Sequence, residues 1–326
     1  MLGGALGLVL AAAGCGAVGP AAGGIDAPAG DGTTEFAPYF YTWGWGSTAY
    51  AFGSLAEMKS RGGPSAVTLA FVTSAGGCHA TGDVEGHRAD LQAYLATGGH
   101  VKAGFGGATG TYLENACGSA AELAGELVRF VDATGITDLD FDLEQHGVSS
   151  NPAVNLLRAT ALKRLQDMRP VRIAFTLPIA PGGLLPESLD ILQAAVTAGV
   201  TISLVNGMTM DYGNGTDLAT TPSRSVDNLT VQLRSLMPGL GRDQAYRMAG
   251  ATAMIGKNDD DETFTLDDAR TLIGYARQNR LGLVAFWAIQ RDQPCSPAND
   301  LALCSRVNAA TFEFTAIFAG VNAAPR

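Results

Sequence analysis

Asp140, Asp142 and Glu144 stand at every second position in the run Thr137-Asp138-Leu139-Asp140-Phe141-Asp142-Leu143-Glu144. Side chains of an extended strand alternate between two faces. The three carboxylates therefore share one face, and Leu139, Phe141 and Leu143 share the other. If the apolar face packs against helices, the acids gather inside a sheet or barrel. Crowding like charges away from water raises at least one pKa. A protonated acid beside an ionised one is what cleavage of a glycosidic bond requires. A magnesium site on a barrel strand and a purely structural network are the competing readings. A solvated helix face fits poorly, because residues two apart on a helix do not face each other.

Strands and helices must position these acids, and the chain alternates between the two. Strands are predicted at Phe36–Trp43, Ala66–Ser74, Val101–Gly107, Thr137–Glu144, Arg172–Ile179, Ile202–Tyr212, Tyr246–Ile255 and Gly282–Ile289. Helical patterns fall between them, among others at Ser119–Ala133, Pro152–Met168, Pro186–Ala198, Ser225–Leu236 and Leu266–Gln278. Pro152 and Pro186 suit the first turn of a helix. Eight β-then-α units without a break in composition predict a single catalytic domain of the α/β class, a (β/α)8 TIM barrel over residues 35–326. No GxGxxG turn follows an early strand, which argues against a dinucleotide-binding sheet. In a barrel of this type the site forms at the C-terminal ends of the strands. Glu144, Asp211-Tyr212, Trp287, Trp43 and Trp45 all map to that rim, so carboxylates and all three tryptophans would meet there.

With 326 residues, 47% of them hydrophobic and 16% charged, the chain can bury a large core. A formal charge of −10 disfavours nucleic acid and anionic membranes as partners but not a neutral polymer. Residues 1–15 read as a signal peptide, because residues 1–14 are apolar and too short to span a membrane. Ala12-Ala13-Gly14-Cys15 resembles a lipobox, making Cys15 a candidate for lipidation and the protein secreted or membrane-anchored. Residues 16–34 form a Gly/Ala/Pro-rich spacer. Among the other four cysteines, Cys78–Cys117 and Cys295–Cys304 are the natural local bridges out of three possible connectivities. The four histidines show no metal-ligand spacing, so neither metal nor cofactor is expected, and the chain is expected to be a monomer.

The acidic run resembles the Asp-Gly-x-Asp-x-Asp-x-Glu hallmark of glycoside hydrolase family 18, the chitinase family, with Thr137-Asp138 in place of the leading Asp-Gly. The family's third-strand Ser-x-Gly-Gly is matched by Gly104-Phe105-Gly106-Gly107, with glycine for serine. Its sixth-strand Met-x-Tyr-Asp is matched by Met208-Thr209-Met210-Asp211, with methionine for tyrosine. Met-Thr-Met-Asp-Tyr-Gly, and Ala285-Phe286-Trp287 through Arg291-Asp292, are similar to a bacterial and archaeal branch. The resemblance runs from about Phe36 to Cys304.

It implies hydrolysis of β-1,4 bonds in chitin or N-acetylglucosamine oligosaccharides by a retaining, substrate-assisted route. Glu144 would be the general acid and base. Asp142 would hold the acetamido group, and Asp140 would share a proton with Asp142. Asp211, Tyr212, Trp287, Tyr41, Trp43, Met208, Gly106 and Gly107 would contact substrate, with Tyr212 as the candidate to replace the missing tyrosine. An endo-β-N-acetylglucosaminidase is the chemical rival. A non-catalytic lectin on the same barrel is the other, although such lectins typically lack the glutamate.

Overall fold

Eight parallel strands form the barrel in a computed structural model that describes Met1 and residues 32–295 and 300–323. The signal segment beyond Met1, Cys15 and the spacer up to residue 31 lie outside the described residues. The strands are β1 (Tyr39–Tyr41), β2 (Ala66–Val72), β3 (His100–Gly106), β4 (Asp138–Asp142), β5 (Arg172–Ala180), β6 (Ile202–Met208), β7 (Ala249–Met254) and β8 (Leu283–Trp287). Each pairs in parallel with the next.

Closure of the ring depends on a split first strand. Pro38 has no N–H to donate, and the chain changes neighbour around it. The two residues Glu35–Phe36 pair with β8, whereas Tyr39–Tyr41 pair with β2. The predicted strands agree with these in number and order. Two ends differ. Tyr246–Met248 belong to the helix Arg242–Met248, and β6 stops at Met208, so Asp211 and Tyr212 lie in the loop beyond it. Two short hairpins were not predicted: Gly183–Leu184 folds back on β5, and Gly256–Lys257 pairs with Thr263–Phe264 beyond β7.

The helices begin where local chemistry supplies a cap. Ser119 accepts from the Glu122 N–H at the head of Ala120–Thr134, a helix that ends on Gly135 in the left-handed conformation at φ 77°. Asn151 caps Pro152–Met168, and Thr265 with Asp268 forms a capping box on Leu266–Asn279. The main apolar core lies between this helical layer and the outer strand faces, where Leu139, Phe141 and Phe175 pack. Inside the barrel the apolar residues are mostly small: Ala37, Ala70, Ala174 and Ala285, with Tyr39 and Tyr41. That leaves room for polar groups.

The lower end of the barrel carries an ion network. Lys102 Nζ, 3% exposed, donates to Glu35 Oε2 at 2.9 Å. His100 reaches Asp138 Oδ2 at 2.8 Å and Glu35 Oε1 at 3.2 Å. Burial pushes the Glu35 carboxyl up, but the charges and hydrogen bonds of Lys102 and His100 outweigh it and hold Glu35 far below the usual range. Both expected disulfides, Cys78–Cys117 and Cys295–Cys304, are present. Among the described residues, no helix is long and apolar enough to cross a membrane.

Candidate active site

The alternation of β4 delivers Asp140 and Asp142 to the barrel interior, 3% and 4% exposed. Glu144 follows two residues past the strand end, partly open to a pocket of about 170 Å3. The pocket wall includes Asp142, Glu144, Met208, Met210, Asp211 and Trp287, together with Tyr39, Phe71, Ala108, Thr176, Thr252, Met254 and Asp259.

Hydrogen bonds distinguish the three acids. Asp140 accepts from Thr176 Oγ1 at 2.8 and 3.0 Å, and the Tyr39 hydroxyl lies 3.0 Å from its Oδ2. Asn206 Nδ2 donates to Thr176 Oγ1 at 3.1 Å and to Thr252 Oγ1 at 2.6 Å, which extends the network to β7. Asp142 instead shares a hydrogen bond with Glu144. Burial, then the charges of Glu144 and Asp140, push the Asp142 carboxyl well above the ordinary range. Burial also raises Glu144; a proton donated by Asp142 opposes this, and Asp211 and Asp259 add to it. The two carboxyls therefore titrate as a pair and not singly. Asp142 Oδ1 is sealed from water and has no protein partner.

Aromatic rings line the opposite wall. Trp287 stacks on Phe71 with centroids 5.6 Å apart, and Tyr41 lies 5.0 Å from Trp287. Tyr41 in turn stacks on Trp43 at 4.4 Å, and Trp43 is 49% exposed. The rings thus step from the pocket out to solvent.

Several expected contacts are placed elsewhere. Asp211 adopts a left-handed backbone (φ 53°), and the chain turns so that Tyr212 leaves the pocket wall. The Tyr212 hydroxyl is bound to Ser225 Oγ at 2.9 Å, within the helix Thr221–Leu236. Gly106 and Gly107 also stay out of the wall. Both have positive φ, and a Cβ would lie 2.0 Å from the Asp142 carbonyl oxygen at Gly106 and 2.3 Å from the Phe71 ring at Gly107. They make room for protein, not ligand. Trp45 is core: it stacks on His87 and donates to Asp90 Oδ2 at 2.8 Å. Asp211 and Met208 do reach the wall, and Tyr41 supports it from behind.

Sequence reasoning missed Tyr39, Thr176, Asn206 and Thr252. A signal was available for Thr176, Asn206 and Thr252, each a polar residue in a mostly apolar strand. Asp259 was missed too, although it stands in the acidic run Asn258-Asp259-Asp260-Asp261-Glu262. Among the described residues no group of three or more His, Cys, Asp or Glu is placed to hold a metal ion.

Comparison with solved structures bears on this geometry. Over 93% of this chain and 97% of the other, the fold matches active domain 2 of the chitinase from Pyrococcus furiosus at 30% identity and a TM-score of 0.80. This chain belongs to glycoside hydrolase family 18. A family 18 chitinase from Pseudoalteromonas aurantia shares the fold, with a TM-score of 0.56 at 16% identity over 82% of this chain and 97% of that one. Two curated relatives agree. A probable bifunctional chitinase/lysozyme of Escherichia coli (strain K12) is 34% identical over 220 residues, 63% of this chain and 24% of that protein. Endochitinase 11 of Metarhizium anisopliae is 33% identical over 250 residues, 70% of this chain and 48% of that protein. The chain thus matches about a quarter and about half of the length of these relatives. No family model matches it.

Proposed function

We propose that this family 18 chain is a chitinase that hydrolyses β-1,4 bonds between N-acetylglucosamine units by a retaining, substrate-assisted route. One observation carries the reading: the Asp142 and Glu144 carboxyls line one pocket with Trp287. A carboxyl in that wall can accept from the N–H of an acetamido group. A proton passes from Glu144 to the glycosidic oxygen as the substrate's own acetamido carbonyl attacks the anomeric carbon. Asp142 is left ionised beside the positively charged oxazolinium. Glu144, now a carboxylate, then takes a proton from the water that opens the ring. Trp287 provides the apolar floor under the reacting sugar, and the exposed Trp43 face accepts a further sugar ring.

Hydrolysis of N-acetylglucosamine oligomers by the wild type and by Glu144→Gln, with binding measured for both, tests the reading. Turnover lost in the variant with binding retained is the expected result. Binding without turnover in either protein identifies a lectin. Absence of both directs attention to glycoprotein glycans. Export is part of the same proposal, supported by the apolar residues 1–14 and the two disulfides, with Cys15 as the lipid attachment point. Cell fractionation that finds the protein in the cytoplasm refutes it.

A further inference from the structure

We infer that Tyr112 is a positioning residue for Glu144, acting through a hydroxyl that braces the backbone where β4 ends. The last bond linking β4 to β5 runs from Leu143 N to Thr176 O at 3.0 Å. Beyond it, the N–H groups of Glu144 and Gln145 have no strand partner. Both donate to the Tyr112 hydroxyl, at 3.1 and 3.2 Å, and that hydroxyl donates to Gly107 O at 2.9 Å. One donor and two lone pairs are thus all in use. Tyr112 is 1% exposed, so water cannot take over these bonds.

The surrounding residues hold the phenol in place. At Gly106 a Cβ would strike the Asp142 carbonyl oxygen at 2.0 Å, so the glycine lets β3 close on β4, and the Tyr112 ring packs alongside in ordinary contact, with Cζ 3.4 Å from that Cβ position. Thr111 O accepts from Ser74 N at 2.8 Å, and Cys117, five residues after Tyr112, is joined to Cys78 in the same neighbouring loop. Gln145 braces the joint from the other side, with Nε2 3.3 Å from Gly107 O and 3.0 Å from Gly110 O. Glu144 therefore has a fixed backbone although it stands past the end of its strand. Proton transfer depends on such placement, because a misplacement of about 1 Å costs on the order of 100-fold in rate.

The catalytic part of this inference rests on the proposed chitinase reading, so the test has two arms. In Tyr112→Phe, kcat on N-acetylglucosamine oligomers is expected to fall about 10- to 100-fold while KM stays within about two-fold. Amide hydrogen exchange at Glu144 and Gln145 is expected to speed up about 3- to 10-fold, the effect of one hydrogen bond. A wild type that turns over no oligomer refutes the chitinase reading alone, and the exchange arm still decides the brace. Unchanged kcat and exchange overturn the inference. So does faster exchange spread over the whole barrel, which marks a merely structural role. If Tyr112→Phe does not fold, amide exchange in the wild type carries the test, because the Glu144 and Gln145 N–H groups have the Tyr112 hydroxyl as their acceptor. Protection of these two amides like that of Leu143 supports the brace, and exchange at unprotected rates overturns it.

Discussion

Replacing His100 by glutamine tests the ion network at the lower end of the barrel. Glutamine keeps a donor for Asp138 but cannot carry charge. Hydrogen bonds to Asp138 and Glu35, against the opposing effect of burial, raise the His100 pKa from 6.5 to about 9. A rise of that size corresponds to at most about 3.4 kcal/mol of linked stability. The side chain is 46% exposed, and solvent screening reduces this to ~1–2 kcal/mol. Because the folded-state pKa is the higher one, the contribution is full below pH 6.5 and is lost as pH rises through about 9. Thermal unfolding of wild type and His100→Gln, measured side by side across this range, reads the difference. For a domain of this size we expect the variant to melt ~2–4 °C lower at about pH 6 and level with the wild type by about pH 10. A gap that is constant with pH, or that widens as pH rises, refutes the charge argument. Glu35 contributes nothing to this window, since its carboxyl stays ionised throughout.

Two further perturbations concern the pocket. Asp259 lies in its wall, and its charge helps to raise Glu144. Asp259→Asn should therefore move the alkaline limb of the kcat/KM profile to lower pH, and an upward or absent shift contradicts that coupling. Trp43→Ala removes the exposed stacking face. It should weaken binding of long oligomers by ~1–2 kcal/mol while leaving the shortest substrates unaffected; an equal loss for all chain lengths argues against a separate sugar platform.

Strand alternation was enough to place Asp140 and Asp142 inside the barrel, because a period of two survives in any strand with a buried apolar face. The same rule failed at Tyr212. Extending β6 to that residue assumes extended backbone at Asp211, and its φ of 53° breaks the alternation. Gly106 and Gly107 were expected to contact substrate from the family resemblance. What approaches is the backbone of β4 and the Phe71 ring, and one strand's sequence does not encode its neighbour's side chains. Thr176, Asn206 and Thr252 were legible in principle as polar residues facing inward. Only the register, with Asp142 opposite Thr176 and Thr176 opposite Asn206, reveals that they join in one network around Asp140. Asp259 arrives on a hairpin from beyond β7, and no periodicity predicts where such a hairpin leans.

The split first strand also bears on how the chain acquires its fold. Glu35–Phe36 find their partners at Leu283 and Val284, and Asn322 hydrogen-bonds both the N–H and the carbonyl of Thr34. A chain whose last strand has not yet docked can assemble β1 to β7 as an open, twisted sheet, but it cannot close the ring. Until then β1 and β7 present unpaired edges, the geometry that invites pairing with other chains. Loop closure over nearly the whole sequence makes that final step slow. A binder of exposed strands would therefore act on this chain before its last strand docks, and would lose its target once the ring closes.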